Sequence, residues 1–302
     1  MTRTLRIFAW ASFIAQVAII ATGGAVRLTG SGLGCPTWPT CTPDSLVPTD
    51  ELTYHSLIEF GNRLMTGVVG IVALVVFLLV WRIRRQRRDL FVLSFVVGLG
   101  IVAQAIVGGI TVWTGLNPFI VGFHYVSSLA LVCVTAAFLA RMDQPAGPRE
   151  RAVPGWYAGL THATSAVLAL TIVFGVLTTG SGPHSGDVEA GRTGFDSELL
   201  EHVHAWPGYA LLALTVVLVV IAWRLKLPTL GWTLALLGIE VVQVAVGLYQ
   251  ARNGLPVLAV GVHMVLAALT AATMTLVVLK LKRPVAADIA ATASPAAEAS
   301  AR

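Results

Sequence analysis

Gln104-Ala105-Ile106-Val107-Gly108, followed by Gly122-Phe123-His124, returns later in the chain as Gln243-Val244-Ala245-Val246-Gly247, followed by Gly261-Val262-His263. The interval from glutamine to histidine is the same in both copies. Two further pairs of segments match in the same order along the chain: Leu57–Asn62 with Leu199–His204, and Thr29–Gly32 with Thr179–Gly182. Such a duplication predicts two similar folded units, each with a polar site at the same position.

The composition is that of an integral membrane protein. The chain is 56% hydrophobic and 12% charged, whereas about 25% of the residues of a soluble domain are charged. Stretches of about 20 apolar residues can span a bilayer as helices, and eight occur, at roughly 7–26, 56–81, 90–112, 120–140, 156–178, 199–223, 229–250 and 258–279. We therefore predict an all-α membrane protein with eight transmembrane helices in two pseudosymmetric four-helix bundles, residues 1–141 and 142–283, followed by a disordered cytoplasmic tail, 284–302.

The basic residues predict how the helices are oriented. They cluster at alternate junctions between the apolar stretches, for example at 82–88 and 280–283, and such clusters face the cytoplasm. Both termini are therefore expected inside, and the sequence pI near 9.4 reflects this asymmetry instead of binding to nucleic acid. The first stretch could be a signal peptide, but its Thr29–Gly32 end belongs to the repeat, which favours a retained helix.

Two of the three cysteines lie in the first outward loop. Cys35 and Cys41 are separated by a short segment that contains Pro36 and Pro39. An oxidising outer compartment favours a disulfide between them. A metal site that includes His55 or His184 is the alternative.

Ionisable groups are costly in a bilayer, so those inside predicted helices are candidates for function, and four stand out: Glu59, His124, His204 and His263. The topology places all four within about two turns of the outer helix ends. His204 and His263 could hold a flat macrocycle with both axial positions filled. The matching positions of the first half hold Asn62 and His124, which leaves one strong ligand, unless His55 supplies a second. The alternative is that these histidines only form hydrogen bonds between helices.

Glu59 shares a helical face with Asn62, and a carboxyl group there can exchange protons with a bound substrate. An ion pair with Arg27 or Arg63 is the structural alternative. These two arginines lie on the outer side, against the general pattern, and their forked geometry suits the propionates of a macrocycle. Glu240, in the middle of the seventh helix, is expected to bond across helices.

Together these residues resemble the haem A synthase family. The most specific motifs are Gly24–Leu33, the loop from Cys35 to Pro39 with Cys41, and Ile58–Arg63. The resemblance implies oxidation of the C8 methyl of haem O to a formyl group by successive hydroxylations. It also implies a haem b on His204 and His263, and a substrate site in the first half with Glu59 and His124. Many family members have a histidine where this chain has Asn62, so a second histidine ligand for the substrate haem is not implied.

The predicted function is therefore haem A synthase activity in a bacterial cell membrane. Glu59 would relay protons, His124 and Asn62 would face the substrate haem, and Arg27 and Arg63 would position its propionates. The expected partners are haem O, haem O synthase, cytochrome oxidase assembly factors, membrane lipid and a second copy of the chain, and no nucleic acid. The main alternative is a b-type cytochrome that only carries electrons. A transporter is disfavoured because the polar residues cluster at one outer depth and not at the midplane.

Overall fold

The computed structural model describes residues 1–49 and 53–285. It is nearly all helical, and eight of its helices are long and apolar enough to cross a membrane: α1 Arg3–Leu28, α2 Tyr54–Trp81, α3 Arg88–Trp113, α4 Pro118–Met142, α5 Gly155–Ser181, α6 Ser197–Arg224, α7 Leu230–Arg252 and α8 Val257–Leu279. This confirms the prediction of an all-α membrane protein with eight transmembrane helices. The observed helices extend a few residues beyond most of the predicted apolar stretches, because polar capping residues are included in the helical ends.

Local sequence explains where several helices begin. The Thr2 side chain accepts a hydrogen bond from the Leu5 amide at the start of α1. Thr53 and Ser56 form a reciprocal capping box at the start of α2, an arrangement that satisfies two amides at the helix end. Asn117 caps α4 ahead of Pro118, and proline is favoured in the first helical position because its missing N–H is not needed there.

The turns between α3 and α4 and between α7 and α8 have the same uncommon backbone. Gly115 and Leu116 both have φ near 58°, and Gly254 and Leu255 have φ of 72° and 57°. The Leu116 amide donates to the Thr111 carbonyl at 2.8 Å, and the Leu255 amide donates to the Gln250 carbonyl at 2.9 Å. Positive φ is uncommon for a residue other than glycine, so its recurrence at matched leucines supports the duplication. We call α1–α4 the first half and α5–α8 the second half.

The two halves pack together through α1, α4, α5 and α8. One buried cluster joins α1 and α4 of the first half to α8 of the second: Ile20, Leu129, Val132, Ala136, Ala268 and Ala272. Small side chains such as alanine let membrane helices approach closely. In addition, the Tyr125 hydroxyl donates to the Met264 carbonyl at 3.0 Å.

A short antiparallel pair of strands lies at the end of the molecule where α1 begins and α8 ends. Strand β1, Arg149–Arg151, follows α4, and it pairs with β2, Lys282–Pro284, which follows α8. The predicted tail begins at 284, but Pro284 pairs with Arg149 and the Val285 amide donates to the Pro148 carbonyl. The rest of that tail, 286–302, lies outside the described residues.

Candidate functional site

A cavity of about 320 Å³ lies inside the helical bundle, and all eight helices contribute to its wall. This volume lies at the lower end of the range of small-molecule sites, roughly 300–1,000 Å³. The wall includes Asn62, His124, His204 and His263. The structure thus brings together three of the four ionisable candidates, His124, His204 and His263, with Asn62, about two turns from one end of their helices. We call this the disulfide end, because the loop with Cys35 and Cys41 lies there.

The rings of His204 and His263 face one another across the second half. Their centroids are 6.2 Å apart, and their planes are inclined by 79°. A metal ion bound by both rings would lie about 2 Å from one nitrogen of each ring, and half the width of each ring must be added to reach its centroid. The two centroids would then be roughly 6 Å apart, as observed. His204 Nδ1 lies 2.9 Å from the Thr171 carbonyl. Because a carbonyl only accepts, Nδ1 carries the proton, and Nε2 keeps its lone pair for a metal.

Glycines make room for the histidine rings. A Cβ atom on Gly175 would lie 2.8 Å from His204 Cε1, and one on Gly247 would lie 3.1 Å from His263 Cε1. A Cβ on Gly108, in the first half, would lie 3.6 Å from His124 Cε1. The absence of a side chain at these glycines therefore sets how closely each ring packs against the neighbouring helix.

The repeated glutamines hold the histidine-bearing helices in place. Gln104 donates to the His124 carbonyl at 3.0 Å, and Gln243 donates to the His263 carbonyl at 3.2 Å. Nδ1 of His124 and Nδ1 of His263 are both buried with no hydrogen-bond partner among the described residues. Each ring therefore keeps polar capacity for a ligand within the cavity.

Asn62 occupies the place that corresponds to His204 in the repeat. Its Oδ1 accepts a hydrogen bond of 2.7 Å from the Thr22 hydroxyl, and it lines the cavity. An asparagine amide is a weak metal ligand, so among the described residues of the first-half wall His124 is the side chain that could bind a metal strongly.

Glu59 is buried, but it lies against the disulfide loop and is not part of the cavity wall among the described residues. Its Oε1 pairs with Arg63 Nη2 at 2.5 Å, and its Oε2 accepts from the Cys35 amide at 2.6 Å. Arg63 also donates to the carbonyls of Cys35, Thr37 and Thr40. Of the two ion pairs considered for Glu59, the structure forms the one with Arg63. Together the two side chains hold the loop onto α2.

The disulfide loop is closely packed. Cys35 and Cys41 form a disulfide with their Cα atoms 4.4 Å apart, and both residues are fully buried. The metal site considered as an alternative for this pair is therefore wrong. A Cβ on Gly109 would lie 2.5 Å from the Trp38 ring, so a glycine in α3 lets Trp38 dock beside Trp113.

Arg27 lines the cavity and reaches the second half. Its Nε donates to the His184 carbonyl and its Nη2 donates to the Thr179 carbonyl, both at 2.7 Å. None of the ion pairs between described residues includes Arg27. Its positive charge is therefore available to an anionic group in the cavity, whereas Arg63 is occupied by the loop.

The other histidines lie apart from the ring pair. His55 is exposed and its Nδ1 lies 3.0 Å from the Ser31 hydroxyl, so its contacts do not support a role as a second ligand of the first-half site. His202 is exposed and its Nδ1 bonds to the Glu198 carbonyl. His184 does line the cavity, and its Nε2 bonds to the Leu255 carbonyl.

Sequence reasoning missed several polar residues of the cavity wall, namely Gln16, Glu240 and Gln250. Glu240 bonds across helices, as expected, since its Oε1 accepts from the Thr215 hydroxyl. The sequence did contain a signal for Glu240 and Gln250, the two residues that lie on α7. Glu240, Gln243, Gly247 and Gln250 follow the spacing of one helical face.

Fold and site define a class: a membrane protein whose described residues form eight long apolar helices around a histidine-lined cavity. A family model described as cytochrome oxidase assembly protein, COX15-CtaA, matches residues 6–183, more than half of the chain. The chain belongs to this family.

Three curated relatives illustrate the similarity. A "Heme A synthase" from Lysinibacillus sphaericus is 38% identical over 141 residues, which are 46% of this chain and 45% of the relative. One from Geobacillus kaustophilus is 33% identical over 143 residues, 46% of this chain and 43% of the relative. One from Listeria monocytogenes is 29% identical over 140 residues, 46% and 45%. The chain spans about half the length of the curated relatives that it matches.

Proposed function

We propose that this protein is a haem A synthase, which oxidises the C8 methyl of haem O to a formyl group by successive hydroxylations. The observation that carries the proposal is the histidine-lined cavity, in a chain of this family whose curated relatives bear that name. The first half is proposed to bind the substrate and the second half to bind a haem b.

His204 and His263 would hold the haem b. Three observations support the fit: the ring separation of 6.2 Å, the Thr171 carbonyl that leaves Nε2 of His204 free, and the glycines that accommodate the two rings. When bound there, a haem b would accept and pass on single electrons. Gln243 fixes the backbone of His263, so the donor atoms are held by rigid helices.

In the first half, His124 would bind the substrate iron and Asn62 would lie opposite as a polar side chain that leaves the iron accessible. Arg27 would attract a propionate, because its guanidinium lies in the cavity wall and pairs only with carbonyl groups among the described residues. The predicted proton exchange by Glu59 stays a prediction. Its contacts with Arg63 and Cys35 support a role in holding the loop.

The surroundings of the protein are also proposed. The basic clusters favour cytoplasmic termini and a disulfide end that faces outwards in a bacterial cell membrane. Haem O synthase would supply the substrate, and cytochrome oxidase assembly factors would receive the product. A second copy of the chain remains a proposed partner.

The alternative is a b-type cytochrome that only transfers electrons. One observation favours it: Glu59 bonds to Arg63 beneath the disulfide loop. A carrier would need the ring pair of the second half, but it would need nothing from Glu59. The cavity wall around His124 favours the enzyme, since a carrier needs no second site.

The deciding experiment is production of the protein together with haem O synthase in a host that makes no haem A. Haems are extracted, separated and counted per chain by pyridine haemochrome analysis. We expect haem A in the extract and haem b on the purified protein. His124→Ala is the matched variant, and it should abolish haem A while leaving haem b in place. Haem b without any haem A would support the electron carrier instead.

A further inference from the structure

A carboxyl group lies deep in the membrane-spanning part of the second half, and among the described residues no cation forms an ion pair with it. Glu240 is 3% exposed and lies in the middle of α7. Its Oε1 accepts from the Thr215 hydroxyl at 3.0 Å, whereas its Oε2 is buried with no hydrogen-bond partner among the described residues. Both the burial of a charge and an unpaired polar atom are costly in an apolar interior. A purely structural bond to Thr215 leaves the Oε2 atom unexplained.

Oε2 of Glu240 belongs to a line of similar atoms. The side-chain oxygens of Gln243 and Gln250 are also buried and unpartnered among the described residues, and both residues line the same cavity. The three residues share one face of α7. At 1.5 Å per residue they extend over about 15 Å, from mid-helix to the disulfide end. A row of acceptor oxygens in a cavity wall supplies the partners that ordered water requires.

The first half lacks this arrangement. The residues at the matching positions of α3 are Ile101, Gln104 and Thr111, so only the central glutamine is shared. Ile101 is buried and lines the cavity without a polar atom in its side chain. The carboxyl group is therefore specific to the half that holds the facing histidine rings.

We propose that Glu240 exchanges a proton with water along the Gln243–Gln250 face, and that it thereby offsets the charge of each electron that enters the second half. This rests on the proposed function, which places a haem b there. As a carboxylate, Glu240 would be stabilised by the positive charge of a haem b in its oxidised state. When one electron from substrate oxidation removes that charge, Glu240 takes up one proton from the disulfide end and becomes a neutral carboxyl group. When a one-electron acceptor takes that electron away, Glu240 releases the proton by the same path.

Other charged groups around the cavity are accounted for. α7 packs against α6 and α8, which contribute His204 and His263 to the wall as the proposed iron ligands. Arg27 and His124 lie in the first-half wall, His184 lies in the loop after α5, and Arg27 is bonded to carbonyl groups. None of the ion pairs between described residues includes Glu240.

The test is a spectroelectrochemical titration of haem b in the purified protein at several pH values, roughly pH 6 to 9. We expect the midpoint potential to fall as pH rises, approaching about 59 mV for each tenfold change in proton concentration. Glu240→Gln should lose most of this slope. Glu201→Gln is the matched control, since it removes an exposed carboxyl group on α6 outside the described cavity wall, and it should keep the slope. A potential independent of pH, or an unchanged slope in Glu240→Gln, would overturn the proposal.

Infrared difference spectra keep the proposal testable if Glu240→Gln fails to bind haem. The unmodified protein should gain a carboxylic C=O band on reduction, which shifts in D₂O, and the absence of that band overturns the proposal.

Gln250→Leu should slow proton uptake several-fold in stopped-flow measurements with a pH indicator, and an unchanged rate would contradict the path. A protein without haem b overturns the proposed function together with this inference. Bound haem b with a pH-independent potential overturns the inference alone.

Discussion

The two halves of this protein share a framework and differ in what it holds. In both, a glutamine bonds to the carbonyl of a cavity histidine, a glycine lies behind the histidine ring, and a leucine with positive φ closes the helical hairpin. At the matched position of α2 and α6, the first half has Asn62 and the second half has His204. The same backbone thus presents one imidazole to the cavity in the first half and a facing pair of imidazoles in the second.

The carboxylates differ as well. Glu59 and Glu201 match in the repeat, but Glu59 is buried beneath the disulfide loop and Glu201 is exposed. Conversely, the buried carboxyl group of the second half, Glu240, corresponds to Ile101 of the first. The position of a residue in the repeat therefore predicts its backbone environment and its depth along the helix. It does not predict the chemistry of its side chain, because individual side chains differ between the halves. Two facing histidines suit a cofactor that stays bound, whereas a single histidine suits a substrate that must leave.

The largest effect is expected from removing one histidine of the facing pair in the second half. His204→Ala or His263→Ala should remove nearly all bound haem b, because among the described residues no other histidine faces the remaining ring. Pyridine haemochrome analysis of the purified variants measures this directly. His162→Ala, at an exposed position of α5, is the control and should retain haem b. A normal low-spin spectrum in both single variants would show that the pair does not bind haem.

The sequence predicted the framework well for physical reasons. A bilayer demands helices of a minimum apolar length, so eight apolar stretches gave eight helices. The repeat then placed His124 and His263 at equal depth, and both line the cavity. Cysteines six residues apart in a loop left few geometries, and the disulfide formed.

The contacts of charged groups were less predictable. Whether Glu59 pairs with Arg27 or Arg63 depends on the path of the disulfide loop, whose carbonyl groups surround Arg63. Arg27 bonds to carbonyl groups in a segment far along the chain, at Thr179 and His184. A helical pattern specifies which face a residue occupies, but not which irregular backbone folds against that face. The strand pair β1 and β2 was missed for the same reason.

A smaller effect concerns the carboxylate of the first half. Glu59→Gln keeps the size of the side chain and can still accept from Cys35, but it leaves the largely buried Arg63 guanidinium without its counter-charge. We expect a loss of stability of about 1–3 kcal/mol, less than the roughly 3–5 kcal/mol for breaking a fully buried pair, and haem A formation lowered at least tenfold. Haem b should remain. Thermal unfolding measures the stability, and haem extraction measures both haems. The rate of disulfide reduction reports whether the loop is still held, and Glu201→Gln is the matched control from the other half.

The outcome separates two roles for Glu59. If haem A formation falls while the disulfide is reduced at the unmodified rate, the titratable proton is needed. Faster reduction together with lower activity would indicate that Glu59 acts by holding the loop. An unmodified rate of haem A formation would make Glu59 purely structural.

The smallest effect compares the glycines behind the two repeated histidines. An added Cβ on Gly247 would lie 3.1 Å from His263 Cε1, but one on Gly108 would lie 3.6 Å from His124 Cε1, an ordinary contact. Gly247→Ala must therefore move the His263 ring by a few tenths of an ångström, which should weaken haem b binding and shift its low-spin electron paramagnetic resonance signal. In Gly108→Ala the helix gains about 0.5–1 kcal/mol of stability from the alanine, and His124 keeps its place. Equal effects of the two substitutions on haem b and haem A would show that the tighter packing in the second half has no part in holding its ligand.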